Sequence, residues 1–145
     1  ATMRAMNLLK SRPYTEYQLR QKLSMGGYPQ DAQEEAISYV KSYHYIDDRQ
    51  YAMDYIEYHQ ESKTKQKLLQ SLMSKGLSKE LILECFDEIV GDRKKELEEE
   101  QILKILRKKN YDPEQWTFEE KQRLMASLYR KGFSSELIHV HFYLT

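Results

Sequence analysis

Leu68-x-x-x-Leu72-x-x-Lys75-Gly76-Leu77-Ser78-x-Glu80-Leu81-Ile82 is the stretch on which the fold turns. Two leucines lie one helical turn apart. A Lys-Gly pair follows, then an apolar residue, a serine and a second apolar run. The same frame returns as Leu124-x-x-x-Leu128-x-x-Lys131-Gly132-Phe133-Ser134-x-Glu136-Leu137-Ile138. A looser copy lies upstream, Leu19-x-x-x-Leu23-x-x-Gly26-Gly27-Tyr28-Pro29-x-Asp31-Ala32. The glycines recur about every 50 residues, which is the spacing of a small helical unit used in series. A unit of that size cannot bury its own core well and relies on its neighbours. Function is therefore expected on an extended surface rather than in a pocket.

Working outward from each glycine, the chain reads as nine helices in three trios, an all-α fold of three tandem three-helix repeats in an elongated, curved array. The expected divisions are 1–46, 47–91 and 92–145. In the first trio a helix runs to about Arg12, where Pro13 stops it. Thr15 with Gln18 three residues on forms a capping box for the second helix, which carries Leu19 and Leu23 and ends at Gly27. The third starts near Pro29 with Ala32, Ala36, Ile37 and Val40 at helical spacing. The second trio opens at Asp47-x-x-Gln50, read as another capping box. Tyr51, Ala52, Tyr55 and Ile56 lie on its first helix, Leu68, Leu69 and Leu72 on its second, and Leu81, Ile82, Cys85, Phe86 and Ile89 on its third, from Ser78. The last trio opens with Glu96, Glu98, Glu99 and Glu100 near one helix end and Lys104, Arg107, Lys108 and Lys109 near the other, an order that complements the helix dipole. Asn110 and Asp112-Pro113 break that helix. Thr117-x-x-Glu120 caps the next, and Ser134 or Ser135 the last.

Glycine reaches the left-handed region without a Cβ clash, so Gly76 and Gly132 are expected at positive φ. From the backbone alone, Gly76→Ala is expected to cost about 1 kcal/mol. The apolar residue after each glycine (Tyr28, Leu77, Phe133) is the mark of a Schellman cap, folding back on the last turn.

Composition limits the functional classes. The chain has 145 residues, 32% charged and 40% hydrophobic, with few Gly and Pro; it is ordered and soluble in character. Formal net charge is zero, so no global attraction draws it to nucleic acid. The middle third is acidic and the last third mildly basic. No apolar run is long enough to span a membrane. A single cysteine, Cys85, fits a reducing compartment, and a cytoplasmic location is expected. The chain opens Ala1-Thr2-Met3, already in a helical pattern, which reads as a boundary inside a longer protein.

No catalytic constellation stands out: there is no Gly-rich phosphate loop, no nucleophile elbow and no His-Glu-x-x-His. His139 and His141 are two apart on a helix and face different sides, so they chelate one metal poorly. With His44 and His59 they read as surface or boundary residues. Cys85 falls on an apolar stripe and reads as a small core residue. Asp47-Asp48 suits helix capping better than metal binding. No cofactor and no metal are expected. Tyr39, Tyr43, Tyr45, Tyr51, Tyr55 and Tyr58 cluster around the first junction. Packing with rings buried and hydroxyls wet is favoured over stacking on bases or a partner. The candidate contact residues are cationic: Lys63, Lys65 and Lys67; Arg107, Lys108 and Lys109; Lys121, Arg123, Arg130 and Lys131. Arg123 and Arg130, seven apart, share a helix face and form a strip suited to phosphates or an acidic protein surface.

Tyr45-Ile46-Asp47-Asp48-Arg49-Gln50-Tyr51-Ala52, the two Lys-Gly-(Leu/Phe)-Ser segments and Arg12-x-x-Thr15-Glu16-x-x-Leu19 together resemble the RecX family of bacterial modulators of the RecA recombinase. The match covers nearly the whole chain. His44 stands where the family usually has Gly. Gln50 stands where it usually has Arg, which moves the basic contact to Arg49 or removes it. Thr64-Lys65 replaces a common Gly-Pro, and longer members carry a segment ahead of the first repeat. The resemblance implies a non-catalytic regulator lodged in the groove of the RecA–DNA filament. It implies limits on ATPase and strand exchange within the SOS response and DNA repair. The scattered cations and zero net charge separately lead to the expectation of a weak, salt-sensitive contact with DNA. A stand-alone helical nucleic-acid-binding module is the other reading.

Overall fold

A computed structural model describes residues 1–143. Among the described residues the elements are helical, with no strand: α1 (Thr2–Ser11), α2 (Glu16–Met25), α3 (Gln30–Ser42), α4 (Asp48–His59), α5 (Lys65–Ser74), α6 (Lys79–Val90), α7 (Lys94–Lys108), α8 (Phe118–Arg130) and α9 (Ser135–Tyr143). A short 3-10 turn, Gly91–Arg93, joins α6 to α7. The chain divides into two compact units. The first comprises Ala1–Tyr58 and Leu69–Ile89; the second comprises His59–Leu68 and the chain from Val90 onward.

In the first unit, α1, α2 and α3 enclose Ala5, Leu8, Tyr14, Leu19, Leu23, Ala36, Ile37, Val40 and Ile46. Arg12 is extended, as a residue before proline must be, and its guanidinium lies 3.9 Å from the Tyr14 ring centre. Ala52, Ile56, Leu72, Leu77, Ile82, Cys85 and Phe86 are also buried in this unit. In the second unit, α7, α8 and α9 enclose Ile102, Leu106, Leu124, Met125, Leu128, Phe133, Leu137 and Ile138, with Tyr111, Trp116 and Phe142 against them.

The helix ends explain the recurring sequence frame. Gly27, Gly76 and Gly132 have φ of 83°, 88° and 89°. Each closes the same pair of backbone bonds. Gly27 N–H donates to Ser24 and Tyr28 N–H to Leu23; Gly76 to Met73 and Leu77 to Leu72; Gly132 to Tyr129 and Phe133 to Leu128. These are the two bonds of the Schellman motif. Two further helices end identically without glycine. His44 (φ 59°) and Asn110 (φ 55°) sit at the left-handed position, with Tyr45 N–H donating to Val40 and Tyr111 N–H to Leu106. The break at Asn110 is thus a true cap.

At helix starts, the Thr15–Gln18 and Thr117–Glu120 boxes are complete in both directions. The expected box at Asp47 is half formed. Asp47 Oδ1 accepts from Gln50 N–H at 3.1 Å, but the Gln50 amide turns along the helix to Asp54 at 2.8 Å. The Gln50 side chain gains a carboxylate partner there, which a backbone amide at position 47 cannot match. Ser78, Ser134 and Thr64 hydroxyls accept from Leu81, Leu137 and Lys67 N–H, so α5 carries a cap that the sequence reading missed.

Candidate functional site

The second helix of one trio begins where the second helix of the next trio ends, and this joint occurs twice. Within the first unit, the Thr15 hydroxyl accepts from Gln18 N–H and donates to the Lys75 carbonyl at 2.6 Å. Thr15 is fully buried with its hydrogen-bonding capacity used. Tyr17, two residues on, lies so close to Gly76 that a Cβ added there would meet the Tyr17 Cβ at 2.2 Å. Within the second unit, Gln66 holds the position in α5 that Tyr17 holds in α2. In the orientation its surroundings require, its amide nitrogen donates to the carbonyls of Arg130 (2.7 Å) and Lys131 (3.0 Å). A Cβ on Gly132 would meet the Gln66 Cβ at 3.3 Å.

The second joint gathers two cationic segments that are distant in sequence. It brings the Lys63–Lys67 stretch up to the end of α8. Lys67, Arg130 and Lys131 are exposed there, while Lys63 and Lys65 are half-buried. The Lys63 carbonyl is fixed by the Gln101 amide at 2.8 Å, which also donates to Gln60. Arg123 is exposed further back on α8, and Lys121 is half-buried. Arg107, Lys108 and Lys109 are exposed at the end of α7; Arg107 shares a cleft of 260 Å³ with Glu61, Glu100 and Lys104. Arg49 belongs to the first unit. It is ion-paired with Glu88 and, at 3.6 Å, with Glu84 on α6, so its charge is already engaged within the fold.

Three acidic residues of the first unit, Glu16, Asp47 and Asp48, cluster at helix starts. Asp48 Oδ1 accepts from Glu16 N–H at 2.9 Å, tying the start of α4 to the start of α2. Burial pushes the Asp48 carboxyl above its usual range, against the pull of that bond. Glu16 is held below its usual range, first by its bond to Lys41 (2.8 Å) and then by the Lys41 and Arg20 charges, with burial opposing. These groups line a polar cleft of 360 Å³ together with His44 and Arg49. Both carboxylates of the Asp47-Asp48 pair accept backbone N–H bonds, which is the capping role expected of them. Among the described residues, no three His, Cys, Asp or Glu side chains converge as metal ligands do. Cys85 is fully buried, and burial pushes its thiol up, away from the reactive thiolate.

The tyrosines depart from the packing expectation. Tyr39, Tyr43, Tyr45 and Tyr58 are exposed by 42, 57, 49 and 84%, and Tyr51 and Tyr55 are half-buried. Tyr39 and Tyr43 rings stand 4.9 Å apart, and Tyr43 stacks on Tyr45 at 5.7 Å with the planes 18° from parallel. Tyr39 lies off the face of α3 that buries Gln33, Ala36, Ile37 and Val40, and Tyr43 is the C-cap residue, past the last turn of that helix.

Capped helical trios with a repeated joint and solvent-facing charged and aromatic strips define a repeated helical array of the kind that works by surface contact. Residues 1–39 match a family model described as "RecX, first three-helix domain" and residues 96–139 one described as "RecX, third three-helix domain". The chain is 32% identical over 142 residues to "Regulatory protein RecX" of Caldanaerobacter subterraneus subsp. tengcongensis, covering 97% of this chain and 68% of that one. It is 33% identical over 128 residues to the protein of the same name from Clostridium botulinum (strain Eklund 17B), covering 86% of this chain. The chain belongs to the RecX family. It spans 58% of the length of the Clostridium botulinum protein. The fold is also that of "Crystal structure of RecX from Lactobacillus salivarius" (TM-score 0.77, 20% identity, 96% of this chain and 90% of that one). A second solved structure, "Crystal structure of regulatory protein RecX", aligns at TM-score 0.78 and 23% identity over 99% of this chain and 71% of the other. No helix among the described residues is long and apolar enough to cross a membrane.

Proposed function

We propose that this chain is a non-catalytic regulator that binds the RecA–DNA filament, lowers its ATPase and strand exchange, and so modulates recombination and DNA repair. The observation that carries the reading is membership of a family whose curated relatives are named regulatory proteins. The chemistry of the chain supports it. Its polar side chains are spent on caps and joints, and its exposed side chains form charged and aromatic strips suited to contact. We read the three trios, 1–46, 47–91 and 92–145, as successive contact modules.

The cationic face at the second joint favours an additional contact with DNA phosphates. Lys67, Arg130 and Lys131 are exposed, and no described ion pair engages them. With few phosphates neutralised, binding to DNA alone is weak and falls steeply with salt. The test is the affinity for a labelled single-stranded oligonucleotide with and without recombinase. Binding is expected to tighten at least tenfold when the filament is present. Replacing Lys67, Arg130 and Lys131 by Gln is expected to reduce the salt slope by about 2, at roughly 0.7 per contact on single strands. Equal affinity with and without recombinase would replace this reading with the stand-alone nucleic-acid module.

A further inference from the structure

The exposed tyrosines are one end of a longer feature. Asp31, Glu35 and Tyr39 follow one another at steps of four along α3, Tyr43 continues the series at its C-cap, and all four are exposed. Residues so spaced are neighbours on a helix surface, about 6 Å apart along the axis. Tyr45, beyond the His44 cap, extends the line by stacking on Tyr43. The left-handed turn at His44 places it there, because it folds the chain back over the last turn of α3. The result is a strip with two carboxylates at one end and three tyrosine rings at the other.

Charge decides what such a strip receives. It carries no lysine or arginine. The nearby cations are taken: Lys41 pairs with Glu16 at 2.8 Å, and Arg20 pairs with Glu16 and Glu34. No described ion pair involves Asp31 or Glu35; Asp31 accepts only its neighbouring Ala32 N–H. A phosphate backbone laid along the rings meets unneutralised carboxylates and is repelled. A guanidinium satisfies both ends. It stacks flat on a tyrosine face and pairs with a carboxylate through its planar fork. The same unit already sets one guanidinium over a tyrosine ring, Arg12 over Tyr14 at 3.9 Å. An extended segment with arginine at alternate positions places them roughly 6.6–6.8 Å apart, close to the spacing of the strip.

We infer that the Asp31–Glu35–Tyr39–Tyr43–Tyr45 strip is a docking site for an arginine-bearing extended segment of a partner protein. The inference deepens the regulator reading by stating what the partner presents at this face, and it is tested without assuming which protein that partner is. The probe is a fluorescein-labelled seven-residue peptide with arginine at positions two, four and six and serine or glycine elsewhere, titrated with the full chain. The expected result is saturable binding, weakened about tenfold in the Tyr39→Ala/Tyr43→Ala double variant. The Tyr39→Phe/Tyr43→Phe pair keeps the rings and is expected to stay within about twofold of wild type. Glu35→Gln is expected to weaken binding several-fold and to reduce its salt dependence. A lysine version of the peptide is expected to bind more weakly. Oligo-dT binding by the alanine pair is expected to match wild type. Peptide binding that is absent in wild type or untouched in the alanine pair overturns the inference. So does loss of oligo-dT binding in that pair, which would assign the rings to nucleic-acid bases. A failed filament assay alongside the expected peptide results leaves this site standing and removes only the recombinase as its partner.

Discussion

Gly76 and Gly132 close their helices with φ of 88° and 89° and the same two backbone bonds, yet Tyr17 faces the first and Gln66 the second. At Gly76 the root of the tyrosine side chain occupies the space a Cβ needs. At Gly132 the neighbour is an amide side chain, held by two bonds to carbonyls at the helix end. Beyond the Thr15–Lys75 hydrogen bond the first joint is locked by shape, whereas the second is locked by hydrogen bonds from Gln66. A shape-locked joint tolerates no added atom, because the Cβ and Cα of Tyr17 move only with the backbone of α2. A bond-locked joint yields by a few tenths of an ångström and re-forms. Gly27 has the same φ class (83°) and nothing within 4 Å of a Cβ, so it isolates the backbone contribution.

The largest expected effect is at Gly76. The left-handed conformation costs an L-residue roughly 1–2 kcal/mol, and forced overpacking adds about 1–3 kcal/mol. Gly76→Ala is therefore expected to lower stability in urea by about 3 kcal/mol or more, well beyond the backbone-only value of about 1 kcal/mol that sequence alone suggests. Tyr17→Gly in the same chain removes the colliding Cβ. The double-mutant cycle is expected to recover about 1–2 kcal/mol of coupling. Additive losses would show that the joint is not locked by shape.

Gly132→Ala is expected to cost about 1–2 kcal/mol and Gly27→Ala about 1 kcal/mol, the backbone strain with and without a tight neighbour. Equal losses at all three glycines in denaturant titrations would erase the distinction between the joints.

The joints also differ in charge. Glu16 stands at the start of α2 in the first, where Lys65 stands at the start of α5 in the second. The Glu16 carboxyl has a lowered folded pKa, so its contribution is present above its ordinary value of 4.5 and is lost as pH falls through the lowered value. Glu16→Gln is expected to lower stability at pH 7 by less than about 1 kcal/mol, since the pair is partly solvated. The gap to wild type is expected to close only as pH falls through that lowered value, below which both carry a neutral side chain. A gap independent of pH would assign the loss to packing instead.

The smallest effect lies at a cap without glycine. His44 holds φ 59° where glycine is unstrained, so His44→Gly is expected to raise stability by about 0.5 kcal/mol, the strain relief being offset in part by a freer unfolded chain. A lower midpoint in thermal or urea unfolding would mean that the imidazole contributes contacts of its own.

These comparisons mark what the sequence made legible. Helix starts at Thr15 and Thr117 and ends at Gly27, Gly76 and Gly132 depend on residues within six positions of one another, and a single sequence displays such patterns. Asn110 is legible as a helix break because asparagine tolerates the left-handed region, whereas His44 builds the same cap from a residue that does not announce it. The joints were illegible for another reason: Thr15 and Lys75, or Gln66 and Lys131, meet only after the helices pack. That is why two lysine-rich segments read as separate faces come together in the second unit. Arg49, a candidate contact residue, is ion-paired with Glu84 and Glu88, partners that its sequence neighbours do not reveal. The phase of α3 makes the exposure of Tyr39 legible, since it lies off the Ala36–Ile37–Val40 stripe; that of Tyr43 is not, because it keeps the register of the stripe and is exposed only by standing past the helix end.

The measurement that bears most directly on function is a titration of the DNA-dependent ATPase of RecA with the purified chain. If the three trios act as contact modules, as proposed, one copy engages more than one recombinase protomer and hinders the movements that turnover requires. The expected result is inhibition at fewer copies than protomers, weakened by charge reversal at Arg123 and Arg130 with helicity unchanged. Full ATPase activity at a stoichiometric excess of the chain, and equally of a longer RecX protein extended at its N-terminus, would contradict the account.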